Sequence, residues 1–466
     1  MTVLPGGLRV CVESVPQYGR GLAAVALTVA AGGDDDPAGR HGTAHLVEHL
    51  MFPRSGREGS ADPAGEGYAA LVAGAGGVCN AETHRDHTVF HTTVPAELLP
   101  DALAWEAGRL LGFAPTEDVI RTETDVIGEE IRGAGDAGRY WESALGALYP
   151  GSRDSFGTAA ELAGITAGEV EAFFRAHYTA PRMVLSVVGD VDPARVVAVV
   201  REVFAGVVRT AEEIRAAEAP RTAREIRAAE EARTAEEARV AGAVRTAEET
   251  RAAEAPRTAR EIRAAEAPRA ATEIRTAPLP AARPGVAVGH PLPDPVADRP
   301  AYLAQAVLAQ VLGRSRLPAL ARSARDGHRL TSATVTCGYH GQWLASAAPD
   351  LTLAVLGRAP GTEVGAAVDI WRSVLRAVAD GPLPEAEHRR AVNSLLVAWH
   401  RQADSLPTRA VALGRDALLL PGSAGPDALP AALRRTTPAE VAAAARALLE
   451  GPVTVTELAP QKGTVG

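Results

Sequence analysis

The sequence predicts an α+β fold of two similar domains, each an antiparallel-rich sheet with helices packed on one face. Three observations carry this reading. Short runs rich in β-branched residues, bounded by turn residues, alternate with longer stretches of helical apolar spacing. At 466 residues the chain is longer than one hydrophobic core usually organises. Between residues 209 and 280 the composition breaks, and the scheme that precedes the break returns after it. The predicted division is a first domain over 1–207, a linker over 208–283 and a second domain over 284–466.

The elements follow in order. Residues 8–12 and 22–30 read as strands from their β-branched content and flanking turns. Residues 34–39 form a loop, and a helix with an apolar body follows. Residues 55–67, rich in Gly, Ser and Pro, read as irregular. Residues 68–73 read as a helix, and 78–82 with 88–94 as a strand pair. Helices are predicted over 95–113 and 115–132, each opened by a proline at a tolerated first-turn position. Residues 134–160 read as loop and short helix. Thr166 and Glu169 form a capping-box pair ahead of a helix. Residues 183–188 are a buried strand, and 192–204 a helix.

A twelve-residue unit then recurs from Arg209, Arg221, Arg233, Arg245, Arg257 and Arg269. Ala, Glu and Arg favour helix, but Pro220, Pro256 and Pro268 interrupt it. Such units carry too little apolar surface for a core and read as a semi-rigid spacer. Beyond it come a helix at 301–312, strands at 330–336 and 351–356, helices at 363–379, 384–403 and 438–449, and a last strand at 453–457.

Composition limits the function. The hydrophobic fraction is 46% and the net charge −9, which argues against nucleic acid and anionic membrane as partners. The three cysteines, Cys11, Cys79 and Cys337, are odd in number and far apart. They point to a reducing compartment, and a cytoplasmic location is expected. The first residues contain no basic segment followed by an apolar run, and no stretch reaches the ~20 apolar residues that span a bilayer.

The chemistry is concentrated in His45-x-x-Glu48-His49. Positions i and i+4 share one helix face, so His45 and His49 can offer two imidazole nitrogens to a single metal ion. Glu48 lies about 60° round the helix from His45, beside His49, with its carboxylate bordering the same ion. Metal-assisted hydrolysis needs such a set: ligands that leave a position open for water, and a carboxylate to take its proton. Leu46, Val47, Leu50, Met51 and Phe52 make the rest of the helix apolar. Two histidines and a carboxylate in a buried helix are costly without a partner, and a metal serves all three. Downstream, Glu123 and Glu130 are seven residues apart on one face of a helix; for either alone, a solvated acidic face is the competing reading. His84, His87 and His91 lie in the strand region, where spacings of three and four do not share a face as they would on a helix. Surface or substrate-side roles are expected for them.

Together these stretches resemble the pitrilysin/insulinase family of inverzincin (HxxEH) metallopeptidases, in particular its processing-peptidase-like branch. Glu123-Thr-Asp-Val126-Ile127-Gly-Glu129-Glu130 is similar to that family's glutamate-rich helix. The resemblance implies Glu130 as third zinc ligand, Glu123 as a carboxylate that orients a ligand, and Glu129 as an alternative ligand. The segments 76–90 and 178–190 are similar to a family strand pair and an end-of-domain strand, and 313–317 to its Ser-Arg-Leu segment. The implied function is a Zn2+-dependent endopeptidase acting on peptides or unstructured polypeptide segments, with Glu48 as general base and two halves in a clam-like pair around a chamber. Asn80 and Ala81 would lie on a strand edge open to the substrate backbone. The second half, lacking His-x-x-Glu-His, would be a non-catalytic copy. The alternatives are a structural core subunit of the same family and a protease dedicated to a biosynthetic precursor peptide.

In active members of that family the second half also supplies an arginine and a tyrosine to the substrate. The matching stretch, aligned on Gly327, has Ser323 and Leu330 at those positions. A shift of one residue restores Arg322 but puts Arg329 in place of the tyrosine. The resemblance therefore implies a heterodimer in which a homologous subunit brings the Arg/Tyr pair.

Overall fold

A computed structural model describes residues 1–52, 67–133, 136–152, 154–207, 273–322, 330–420 and 425–460. Two mixed but mainly antiparallel sheets organise them. The first contains β1 (Thr2–Val3), β2 (Arg9–Ser14), β3 (Leu22–Val29), β4 (Val78–Thr83), β5 (Thr88–Pro95) and β6 (Met183–Gly189), in the order β1-β2-β6-β3-β5-β4. Its one parallel pairing is β2 with β6. The second contains β7 (Glu273–Arg275), β8 (Leu279–Ala281), β9 (Gly285–Pro291), β10 (Leu330–Cys337), β11 (Leu351–Arg358) and β12 (Val453–Pro460). Its order is β10-β11-β9-β12, with β7 and β8 both parallel to β12.

The helices of seven residues or more in the first half are α1 (Thr43–Leu50), α2 (Tyr68–Gly74), α3 (Leu99–Leu111), α4 (Glu117–Gly133), α5 (Asp136–Leu148), α6 (Ala167–His177) and α7 (Pro193–Val203). Those of the second are α8 (Arg299–Val311), α9 (Val364–Ala379), α10 (Glu385–Ala403), α11 (Leu406–Leu419), α12 (Leu429–Arg435) and α13 (Pro438–Glu450). One face of the first sheet, with Val25, Leu27 and Phe90, packs on Leu46 and Val47 of α1, Leu103 of α3 and Ile127 of α4. The corresponding face of the second sheet, with Val286, Val288 and Leu356, packs on α8, on Trp371 of α9 and on Val441 of α13.

The opposite faces are covered by exchange. Ala410 and Val411 of α11, a helix of the second half, pack on Ala24, Ala26, Val89 and Val188 of the first sheet. Tyr140, Trp141, Ala144, Leu145 and Leu148 of α5, a helix of the first half, pack on Ala287, Leu353 and Leu458 of the second. Each contact has a glycine at its closest approach. A Cβ on Gly414 would lie 2.4 Å from Thr28 Oγ1, and one on Gly289 would lie 2.8 Å from the Ala144 Cβ.

The predicted strands are present at 9–14, 22–29, 78–83, 88–95 and 183–189, and the Thr166–Glu169 capping box is made. Several expectations need correction. Residues 134–160, expected as loop and short helix, hold the thirteen-residue α5. Its apolar positions 140, 141, 144, 145 and 148 have helical spacing, but the surface that stabilises them belongs to the other half. Pro95 ends β5, and a 3-10 turn over Ala96–Leu98 leads into α3 at Leu99. The helix α11 and the strand β9 had no counterpart in the sequence reading. Most of the repeat tract lies outside the described residues, but the second sheet begins at Glu273, inside the stretch assigned to the linker. No helix among the described residues is long and apolar enough to cross a membrane.

Candidate metal centre

α1 starts at a residue with no side chain to cap it, Gly42. The Asp36 carboxylate does this from the preceding loop, accepting from the N–H groups of Gly42 at 2.7 Å and Ala44 at 2.8 Å. The apolar side of α1 is buried through Leu46, Val47 and Leu50, which turns His45 and His49 toward α4.

The two imidazoles lie with ring centroids 4.9 Å apart. His45 Nδ1–H donates to the Phe156 carbonyl at 3.3 Å, and His49 Nδ1–H donates to Glu123 Oε2 at 3.2 Å. Both Nε2 atoms are thus left as lone-pair donors, and each is 3.5 Å from Glu130 Oε2. The three donor atoms of His45, His49 and Glu130 lie within 4.8 Å of one another. Among the described residues no other three His, Cys, Asp or Glu side chains converge in this way. Two imidazoles and one carboxylate form a donor set that fits zinc.

Burial, helped by the neighbouring His49, pulls the His45 pKa down to about 4, so this ring is neutral at pH 7. Burial also opposes charge on His49, but the hydrogen bond to Glu123 and the nearby Glu48 and Glu130 outweigh it and raise its pKa. Burial pushes the Glu48 carboxyl up to about 7, against the stabilising hydrogen bond from the Thr83 hydroxyl. Glu129, the alternative ligand, is exposed and paired with Arg132 at 2.7 Å. Of the two adjacent glutamates, it is Glu130 that meets the histidines.

Asn80 and Ala81 lie on β4, opposite His91 and Phe90 of β5. Among the described residues β4 is an edge strand, so its other side carries unpaired backbone groups. Residues 323–329, including Ser323, lie outside the described residues; Leu330 opens β10 and is buried.

His84 and His87 are buried, not on the surface as expected. Their rings stack at 4.4 Å in a turn covered by the second half. Asp86 accepts from His87 Nδ1–H at 2.8 Å, and the His87 Nε2 accepts from Arg415 Nε at 3.3 Å. The Arg415 guanidinium thus packs against the outer nitrogens of both rings.

Sequence reasoning missed Thr83, Phe156 and Asp36. Thr83 had a signal: it is two residues beyond Ala81 on the same strand face, the face turned to α1. The Phe156 contact is through a backbone carbonyl and leaves no trace in residue type.

The description "Insulinase (Peptidase family M16)" matches residues 12–134, and "Peptidase M16 inactive domain" matches residues 164–395. The chain belongs to peptidase family M16. This M16 chain is 33% identical over 208 residues to an uncharacterised zinc protease of Mycobacterium bovis, a match covering 44% of this chain and 46% of that one. It is 30% identical over 211 residues to a probable mitochondrial-processing peptidase subunit beta of Arabidopsis thaliana, covering 44% and 38% of the two chains. The match thus spans less than half the length of either relative. In fold it is similar to a protease of Helicobacter pylori, with a TM-score of 0.75 at 19% identity over 98% of each chain. It is also similar to a putative M16-like peptidase of Alicyclobacillus acidocaldarius, with a TM-score of 0.69 at 18% identity over 99% and 97% of the two chains.

Proposed function

We propose that this M16 chain is a zinc-dependent endopeptidase that hydrolyses peptides or unstructured polypeptide segments. One observation carries the reading: two imidazole Nε2 atoms and the Glu130 carboxylate converge, with Glu48 on the same helix face region. His45, His49 and Glu130 would hold zinc, which supplies Lewis acidity to a water and to the scissile carbonyl. Glu48 takes the proton of the attacking water and passes it to the leaving nitrogen, so that the C–N bond breaks to give an amine and a new carboxyl group, which ionises at neutral pH. Thr83 holds one Glu48 oxygen in place, leaving the other free to act. Glu123 fixes the tautomer and plane of His49. A substrate strand pairs with the open edge at Asn80 and Ala81, which presents its backbone beside α1. Residues 1–207 form the catalytic unit, the repeat tract up to residue 272 the linker, and the stretch from Glu273 on, where the second sheet begins, the non-catalytic copy. The three free thiols suit a reducing compartment, which we take to be the cytoplasm.

The test is metal content and turnover together. We expect about one zinc per chain by elemental analysis, lost in His49→Ala. Glu48→Gln is expected to keep the metal and lose hydrolysis, because an amide cannot accept the proton. Metal-loaded wild-type protein inert toward a diverse peptide library, both alone and mixed with a homologous subunit lacking His-x-x-Glu-His, would favour the structural-subunit alternative.

A second reading concerns assembly. Ser323 and Leu330 stand where family resemblance calls for the arginine and tyrosine, and Leu330 is buried rather than offered to a ligand. Chains named as the beta subunit of mitochondrial-processing peptidase are among the relatives. This chain would then be the zinc-bearing half of a heterodimer.

A further inference from the structure

Behind the zinc ligands and behind Glu48 lie two turns, and both are held from the second half. The first turn is 154–157. Asp154 Oδ1 accepts from the N–H groups of Phe156 at 2.8 Å and Gly157 at 3.1 Å, and the Asp154 carbonyl accepts from His41 Nε2 at 2.9 Å. The turn so formed presents the Phe156 carbonyl to His45 Nδ1. Ser155 at its centre is buried and shares a hydrogen bond with the Tyr339 hydroxyl, across the boundary between the halves.

The second turn is 84–87, which follows directly on Thr83. Asp86 accepts from the N–H groups of Ala347 at 2.7 Å and Ala348 at 2.9 Å, and Arg85 donates to the Pro349 carbonyl. Tyr339 touches both turns: its ring lies 5.2 Å from that of His84, and its hydroxyl meets Ser155. One segment, residues 339–349, therefore supports the group that orients His45 and the residue that orients Glu48. Within it Leu344 has a φ of 58°, a left-handed conformation disfavoured for a side chain with a Cβ. The Tyr302 hydroxyl accepts its N–H at 2.8 Å. A strained residue pinned by a buried phenol indicates that the path of this segment is specified closely.

We infer that segment 339–349 of the second half is a positioning element for the zinc site, with Tyr339 acting on His45 through Ser155 and Phe156, and Asp86 on Glu48 through Thr83. This rests on the zinc-peptidase reading. It gives the half without His-x-x-Glu-His a part in the chemistry of the other half. Groups that orient metal-ligating histidines typically alter metal affinity about 10- to 100-fold when removed.

The experiment uses full-length protein carrying Tyr339→Phe, Ser155→Ala, or both. Zinc affinity is measured by competition with a chromophoric chelator, ligand geometry by the visible spectrum of the cobalt-substituted protein, and stability by thermal unfolding of the metal-free form. We expect each single variant to bind zinc about 10-fold more weakly with an altered cobalt spectrum. The double variant is expected to be no weaker than either single one, because one hydrogen bond is shared. Asp86→Asn is expected to lower kcat with KM and zinc affinity kept. Unchanged affinity and cobalt spectrum in both Tyr339→Phe and Ser155→Ala, with only a lower Tm, would reduce the segment to a structural contact and overturn the inference. Failure of the wild-type protein to bind zinc would instead remove the zinc-peptidase reading itself.

Discussion

A carboxylate that takes a proton from water near neutral pH must not be too weak a base. Glu48 is moved in the needed direction by burial, while the Thr83 hydroxyl favours its ionised form. In the metal-free protein its raised pKa means the folded state holds the proton more tightly than the unfolded chain. The associated stability is present below the ordinary glutamate range and is lost as pH rises through about 7. A bound divalent cation lowers that value, so the acid limb of activity lies below 7 in the loaded enzyme. Thr83→Val keeps the shape and removes the hydrogen bond. We expect full zinc content, kcat lower by roughly ten-fold and an acid limb moved to higher pH. A pH–rate profile superimposable on wild type would take Thr83 out of the mechanism. At this scale the legible residues were those whose geometry is local. His45, Glu48 and His49 follow from helical spacing, whereas the roles of Glu123 and Glu130 come only from the family resemblance, since their spacing alone also fits a solvated acidic face. Phe156 and Tyr339 reach the site through long-range contacts that no spacing encodes.

Among the elements, strands and capped helices were readable where their own residues decide them, as with β6 or the Thr166–Glu169 box. The exchanged helices were not. The helical stripe of α5 contains Tyr140 and Trp141 beside glycines, and α11 opens within a Ser-Leu-Pro run; each is stabilised by a sheet distant in sequence. This makes Gly414 a point of weakness. A side chain there meets Thr28 and Ser186 on the first sheet. Gly414→Val is expected to destabilise the protein by about 1–3 kcal/mol through overpacking. The checking measurement is urea unfolding, with hydrogen exchange rising in β3 and β6 before the α1–α4 region. Uniform exchange across both halves would mean that α11 is not a separable contact.

On the scale of the whole molecule, the two-sheet architecture was legible because the second half repeats the alternation of the first. The seam between the halves was not, since it is made by turns 84–87 and 154–157 and by α5 and α11. The repeat tract carries none of the residues assigned to the site. Replacing 209–270 with a Gly/Ser linker of sufficient reach is expected to leave zinc content and peptide hydrolysis within about two-fold, as a spacer role requires. Loss of activity in a folded, zinc-loaded protein would assign the tract a function. The heterodimer reading is checked by peptide hydrolysis with and without a homologous subunit lacking His-x-x-Glu-His. A missing donor to the developing oxyanion typically costs about 100- to 1,000-fold, so mixing is expected to raise the rate by that order. Full activity of the chain alone would end that reading. The exchange of α5 and α11 also bears on how the protein is made. β6 completes the first sheet by residue 189, yet the helix that covers its second face ends at Leu419. At ribosomal speeds of about 5–20 residues per second, that apolar face waits on the order of tens of seconds for its cover. A nascent chain of this design has a built-in interval in which that face is open to chaperones and to aggregation before the finished molecule exists.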